Sequence, residues 1–184
     1  MNKTVSRAAK TVTVAWGGDV NIGRRFHYGF HEMDGRNALA AIKPLKAADL
    51  AIVNLECVVS TSGVECIDKG ERSSYYFRAR PEMLEALILG GVDLVATANN
   101  HSGDYGPAAL VEQAEWVEAA GIGHAGSGGN REDAFRPVIR RAGNLEIALF
   151  SLDATQESFA AGDASPGTAW LDPEKPKDWS AIMA

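Results

Sequence analysis

Val92-Asp-Leu-Val-Ala-Thr-Ala-Asn-Asn-His-Ser-Gly-Asp-Tyr-Gly106 decides the fold. Its first half, Val92 to Ala96, is an apolar run of the length and composition of a buried strand. Its second half places two adjacent amides and an imidazole, Asn99, Asn100 and His101, before a helical pattern that starts near Pro107. These polar groups therefore sit at the C-terminal end of a strand, on the loop into a helix, where open α/β sheets place their ligands. Buried polar side chains need partners, and a metal or phosphate site is the leading reason for three of them together.

The same grammar repeats on both sides of this stretch. Thr11 to Trp16 reads as the first strand, ended by Gly17-Gly18 and followed at once by Asp19. Asn37 to Ala48 reads as a helix with Leu39, Ile42 and Leu45 at helical spacing and Pro44 as an awkward interior residue. Asp49 to Glu56 reads as a second strand ending in a carboxylate. Ser60 to Ser74 is polar and contains Gly63 and Gly70, which predicts an excursion loop or loose hairpin, and Tyr75 to Ala79 a short strand. Pro81 marks a helix start, with Met83, Leu84, Leu87 and Ile88 on one apolar face and Gly90-Gly91 at the end. Ala108 to Ala120 is the clearest helix, striped by Leu110, Val111, Ala114, Val117 and Ala120 and capped by Gly121. Gly123 to Asn130, with four glycines, reads as a loop. Residues 137–141 and 145–152 around Gly143-Asn144 predict a β-hairpin. The alternation argues for an α/β sheet with mixed pairing near its end.

Three strand ends thus carry acceptor groups: Asp19, then Asn54 with Glu56, then Asn99-Asn100-His101. If the strands are parallel neighbours, the loops converge on one sheet edge. Two carboxylates, an amide oxygen and an imidazole suit Mn, Fe, Zn or Mg rather than a closed thiolate site. A cation would also relieve the repulsion between the carboxylates. Each residue alone has a plainer explanation, a turn cap for Asp19, a solvated charge for Glu56, backbone bonding for the asparagines. Those explanations weaken because all the groups fall at the same end of successive strands. His27 and His31, in the loop after Asp19, could meet an anion together with Arg24 and Arg25, but a solvated loop is the better reading; His124 is assigned no role. Gly126 to Asn130 could cradle phosphate with its amides, but without a Walker lysine simple loop chemistry is the better reading.

Bulk properties narrow the function. The chain has 184 residues, 46% hydrophobic and 23% charged, with a net charge of −6. That suits one domain or most of one, and argues against nucleic acid as a partner. No apolar run reaches membrane-spanning length, and the basic start Met1 to Lys10 lacks the apolar core of a signal peptide. The chain as written is therefore expected to be cytoplasmic, with any envelope association made through partners. Cys57 and Cys66 lie in one loop region, as free thiols or a local disulfide; free thiols are the simpler reading.

In series, Gly18-Asp-Val-Asn-Ile-Gly-Arg24, Val53-Asn-Leu-Glu56, Ala98-Asn-Asn-His-Ser-Gly-Asp-Tyr-Gly106, Gly121-Ile122 with Gly126, and Asn130-Arg-Glu-Asp-Ala-Phe-Arg-Pro137 resemble the CapA family of bacterial capsule and poly-gamma-glutamate synthesis proteins. That family is similar to the calcineurin-like metallophosphoesterases. The resemblance implies an αββα sandwich with a metal site at its strand ends. It would make Asp19, Glu56 and Asn100 metal ligands, and His101 the catalytic group that stabilises or protonates a leaving group. Asn54 and Asn99 would support the ligands. Apart from the resemblance, the acidic balance means that an anionic substrate would need a local basic patch, which Arg24, with Arg25, Arg78 and Arg80, could supply. The cofactor would be a divalent metal (Mn, Fe or Zn), binuclear in the full-length protein.

The implied partners are an anionic polymer or phosphoester substrate and membrane-bound synthase subunits. The implied chemistry is metal-assisted hydrolysis of a phosphoester or amide bond. The competing reading is a non-enzymatic accessory subunit of a polymer synthase with a vestigial metal site. A nucleotide-binding domain is disfavoured by the missing GxGxxG. Three departures stand out: Asn21 replaces an apolar residue, Cys57-Val58 replaces a small residue and proline, and no histidine follows His124. The family's later histidine motifs are thus missing. The expected organisation is a flexible N-terminus (1–10), the N-terminal portion of the family's domain (11–153) and a proline-containing loop or disordered tail (154–184).

Overall fold

The computed structural model describes residues 11–32, 39–64 and 68–175. In chain order the elements are β1 (Val14–Val20), α1 (Arg24–Glu32), a 3-10 turn (Leu39–Ala41), α2 (Lys43–Ala47), β2 (Leu50–Leu55), β3 (Val58–Val59) and β4 (Arg78–Ala79). A second 3-10 turn (Pro81–Met83) leads into α3 (Leu84–Gly90), followed by β5 (Leu94–Ala96), α4 (Gly106–Ala119), β6 (Gly123–Ala125) and β7 (Ser127–Gly128). Then come α5 (Arg131–Phe135), β8 (Val138–Ala142), β9 (Leu145–Leu149), a 3-10 turn (Glu157–Phe159) and β10 (Gly167–Thr168).

The centre is a parallel sheet of four strands in the order β1-β2-β5-β6. β2, Leu-Ala-Ile-Val-Asn-Leu, is apolar nearly throughout because both of its faces are covered. Ala51, Val53 and Leu55 pack into the main core with Leu45, Met83, Leu84, Leu87 and Val117 from the helical side. Leu50 and Ile52 point the other way, into a second core with Leu94, Ala142 and Leu149. That second core is closed by the antiparallel β8-β9 hairpin, which falls where the sequence predicts it. The result is helices, parallel sheet, then an antiparallel hairpin: a mixed α/β architecture consistent with the calcineurin-like fold.

Several boundaries differ from expectation, each for a local reason. Gly17-Gly18 does not end the first strand. The pairing shifts between Trp16 and Asp19, so that two residues of β1 oppose the single Val53 of β2, a bulge that Gly18 accommodates with φ +68°. The strand continues and sets Asp19 opposite Asn54. The helix expected over 37–48 is two pieces, and Pro44 lies in the first turn of α2, where its missing N–H costs nothing; residues 37 and 38 lie outside the described residues. Ile88 is 51% exposed rather than part of the buried face of α3, and Ala86 takes that place. On α4, Leu110 and Val117 are buried, while Val111, Ala114 and Ala120 are only partly so. The stripe also includes Gln113, whose Oε1 accepts the Val59 amide at 2.8 Å.

Gly123 to Asn130 is not simply a loop, since it supplies β6, the fourth strand of the sheet, and β7. Glycine serves at 123 because a Cβ there would stand 2.6 Å from the Leu94 side chain. The segment after Asp153 is largely loop, yet packed. β10 pairs with β7, and Phe159, Ala161, Ala169 and Leu171 are buried; residues 176–184 lie outside the described residues, as do residues 1–10. Among the described residues no helix is long and apolar enough to cross a membrane.

Candidate functional site at the strand ends

The parallel pairing brings the three strand ends together. Asp19 and Asn54 are register partners on β1 and β2, and the Asn54 amide donates to Asp19 Oδ1 at 2.8 Å. Asn99, three residues past β5, donates through Nδ2 to Asn54 Oδ1 at 3.0 Å and to the Leu55 carbonyl at 3.0 Å. Its Oδ1 accepts the His101 backbone amide at 3.0 Å. A single hydrogen-bonded chain therefore runs Asp19–Asn54–Asn99–His101 across three adjacent strands. Glu56 follows directly on β2 and is half-buried, its amide held by the Val20 carbonyl at 2.9 Å. Asn100 is half-buried on the turn, between the buried Asn99 and His101.

Ser102 fixes the turn itself. Its hydroxyl donates to the Thr97 carbonyl and accepts the Asn99 amide. His101 is held on several sides. Its Nδ1 lies 2.7 Å from Asp104 Oδ2, and its ring stacks on Phe77 with centroids 3.9 Å apart. The same Asp104 oxygen accepts the Phe77 amide at 2.6 Å. The other, Oδ1, faces Lys69 Nζ at 2.5 Å, with both side chains fully buried. Lys69 comes from the segment expected to be an excursion loop; its ammonium also donates to the Tyr75 carbonyl at 3.0 Å and lies 3.3 Å from His101 Nδ1.

Arg24 stands at the rim. It is exposed, and its guanidinium lies 5.2 Å from the Phe77 ring centroid and 6.0 Å from that of Tyr75. Among the described residues it is the only non-glycine with positive φ, at 52°, a backbone conformation that costs energy and tends to persist where surrounding structure or function demands it. Arg78 lies elsewhere, over the Tyr105 ring at 4.3 Å.

Asp104 and Lys69 are the residues that sequence reasoning did not assign. The i, i+3 spacing of His101 and Asp104 in one turn was a usable signal. Nothing in the sequence points Lys69 at His101. Cys57, next to Glu56, is a free thiol, and burial pushes its pKa up to about 12 against two backbone hydrogen bonds that lower it. Cys66 lies outside the described residues.

As a metal site the donor set is oxygen-rich: two carboxylates and an amide at converging strand ends, which suits a hard or borderline cation. Among the described residues no three histidine, cysteine, aspartate or glutamate side chains gather in metal-binding proximity. Asp19, Glu56 and Asn100 are oxygen donors of the kind such a cation takes, and Asp19 is the one whose side chain is joined to the hydrogen-bonded chain across the strand ends.

Comparison with known proteins points to the same family. The family model described as "Bacterial capsule synthesis protein PGA_cap" matches residues 13–182. The chain is 22% identical over 170 residues to the capsule biosynthesis protein CapA of Bacillus anthracis, covering 91% of this chain and 41% of that protein. It is 28% identical over 130 residues to a probable polyglutamine synthesis accessory protein of Mycobacterium tuberculosis, covering 68% of this chain and 33% of the relative. It is also 27% identical over 153 residues to a protein of Sinorhizobium fredii, covering 80% of this chain and 32% of the other. The chain thus spans between about a third and two fifths of the length of these curated relatives. With the family model matching residues 13–182, nearly the whole of this chain, the chain belongs to the bacterial capsule synthesis protein (PGA_cap) family.

Proposed function

We propose that the strand-end site is that of a metal-dependent hydrolase-like protein serving capsule or poly-gamma-glutamate synthesis. Its substrate class is a phosphoester, or an amide of an anionic polymer. The observation that carries this reading is the hydrogen-bonded chain from Asp19 through Asn54 and Asn99 to His101. It ties the candidate ligand Asp19 rigidly to the candidate acid–base group, which catalysis by positioning requires.

Asp19, Glu56 and Asn100 would hold a divalent cation (Mn, Fe or Zn), one of two in a longer protein. A bound cation of this kind supplies Lewis-acid polarisation and a nucleophilic water at neutral pH. Asn54 and Asn99 fix the orientation of Asp19 and of the His101 turn. His101, with Nδ1 engaged by Asp104, is left to give or take a proton at Nε2, at the leaving group. Arg24, held over Phe77, offers a cation to an anionic substrate that the net charge of −6 would otherwise repel.

A second reading has its own support. The name of the M. tuberculosis relative is that of an accessory protein, and the described residues do not bring together three carboxylate, imidazole or thiolate ligands. On that reading the fold serves a membrane-bound polymer synthase without chemistry of its own. Assay of the purified chain with manganese, against p-nitrophenyl phosphate and poly-gamma-glutamate, separates the two. Turnover by the wild type that falls at least 100-fold in His101→Ala supports the hydrolase. Equal background rates in both support the accessory role.

A further inference from the structure

Lys69 is the feature that neither the family pattern nor the proposed chemistry uses. Its ammonium is buried completely, against the carboxylate of Asp104 at 2.5 Å, the Tyr75 carbonyl at 3.0 Å, and the ring faces of Tyr76 and Phe159 at 5.3 and 5.7 Å. Its backbone is fixed as well, because Gln156 Nε2 donates to the Lys69 carbonyl at 3.1 Å. Two chain segments distant in sequence, the loop before β4 and the loop after β9, thus meet on one cation. Burying a lysine is costly unless the charge is paired and bonded. Here the pair is the residue that touches His101.

We propose that Lys69 is a positioning residue for His101, acting through Asp104 to hold the imidazole in the tautomer with the proton on Nδ1. Asp104 Oδ2 already accepts the Phe77 amide at 2.6 Å, and its Oδ1 faces an ammonium. The ring nitrogen has two polar neighbours: the Asp104 carboxylate oxygen at 2.7 Å, which can only accept, and the Lys69 ammonium at 3.3 Å, which can only donate; the contact to the carboxylate is the much shorter one, so that nitrogen is the donor. Nδ1 protonated leaves the lone pair of the neutral ring on Nε2. Remove the ammonium and the buried charge on Oδ1, which no hydrogen bond satisfies, loses its counter-ion. The carboxylate then turns to find another, and the preference for the Nδ1–H form is lost. The functional weight of this arrangement rests on His101 being the group that acts at the strand ends; the tautomer itself does not.

The test is nitrogen NMR of the protein labelled at its four histidines, at a pH where the rings are neutral, with His101→Gln assigning the His101 signals. The wild type should show a protonated, pyrrole-type Nδ1 and a pyridine-type Nε2. Lys69→Met should show the two nitrogens averaged toward a mixture of tautomers. A wild-type ring protonated on Nε2, or a Lys69→Met spectrum identical to wild type, overturns the proposal. Should Lys69→Met fail to fold by circular dichroism, the wild-type ammonium decides. Slowly exchanging Nζ protons with nuclear Overhauser contacts to the His101 ring are expected, and a freely exchanging ammonium overturns the proposal. None of these readouts needs turnover. An inactive protein with the Nδ1–H tautomer would therefore sink the hydrolase reading alone, and an active one with the Nε2–H tautomer would sink this one alone.

Discussion

Lys69 Nζ and Asp104 Oδ1 meet at 2.5 Å with no solvent access to either side chain, although 35 positions separate them in the chain. Removing one member of such a pair strands the other charge in the interior. Asp104→Leu is therefore expected to destabilise the fold by about 3–5 kcal/mol. Lys69→Met combined with Asp104→Leu should cost clearly less than the sum of the single changes. Urea denaturation of the four proteins in a double-mutant cycle measures the coupling; strict additivity would mean that the pair makes no net contribution.

A second ion-centred contact pins the start of the same loop. Glu112 on α4 accepts the hydroxyls of Ser60 and Thr61 at 2.5 and 2.7 Å, the Ser62 amide at 2.9 Å and Trp116 Nε1 at 2.9 Å. Burial acts to raise the pKa of this carboxyl, but the hydrogen bonds from Ser60, Trp116, Thr61 and Ser62 outweigh it and hold the group well below the usual carboxylate range. A depressed folded pKa means that the stabilisation is present above the unfolded value of 4.5 and fades as pH drops below it. Glu112→Gln should cost about 1 kcal/mol at pH 7. The gap in melting temperature between wild type and variant should hold from neutrality down to about pH 4.5 and narrow as the pH is lowered further. A constant gap would show that the charge has no part in the clamp.

Gly126 ties the site to the loop beyond it. Its φ is +110°, and a Cβ would lie 2.6 Å from the Ala98 amide nitrogen and 2.6 Å from Ser151 Oγ, two atoms that are themselves hydrogen-bonded at 3.0 Å. Gly126→Ala therefore combines backbone strain with a clash against the loop that carries Asn99 and His101. A loss of about 3 kcal/mol in chemical denaturation is expected. Gly18→Ala has open space around its Cβ and only the φ of +68° to contend with, so it should cost less, about 1–2 kcal/mol.

Cys57 should be inert in the folded protein. Burial raises its thiol to about 12, and the thiolate is the reactive form. Iodoacetamide at pH 8 followed by peptide mass spectrometry should leave Cys57 unmodified until denaturant is added. Prompt labelling under native conditions would show that the strand end opens readily.

How far the sequence reaches is clearest at individual residues. β2 and β5 are legible because a strand covered on both faces must be apolar nearly throughout, and the polar residues near their C-terminal ends, Asn54 within β2 and Asn99 three residues past β5, announce where they stop. β1 is misread because Gly17-Gly18 has two meanings, a stop or a bulge, and only the partner strand selects between them: the bulge puts Asp19 opposite Asn54. β6 is hidden for the opposite reason. Its glycine is there to fit against Leu94, a contact made in space and not along the chain. His101 is visible from its motif, whereas Lys69 reaches it across 32 positions, from a loop whose polar composition resembles that of any solvated segment.

The central claim, that the strand ends form a cation site serving chemistry at His101, is tested most directly by metal analysis. Purified chain would be equilibrated with manganese, iron or zinc, desalted, and analysed by inductively coupled plasma mass spectrometry beside Asp19→Ala and His101→Ala. Near-stoichiometric metal in the wild type, lost in Asp19→Ala and retained in His101→Ala, is the predicted result, since Asp19 is placed as a ligand and His101 as an acid–base group. Wild-type metal content no higher than that of Asp19→Ala would contradict the claim and leave the accessory role as the better account of this fold.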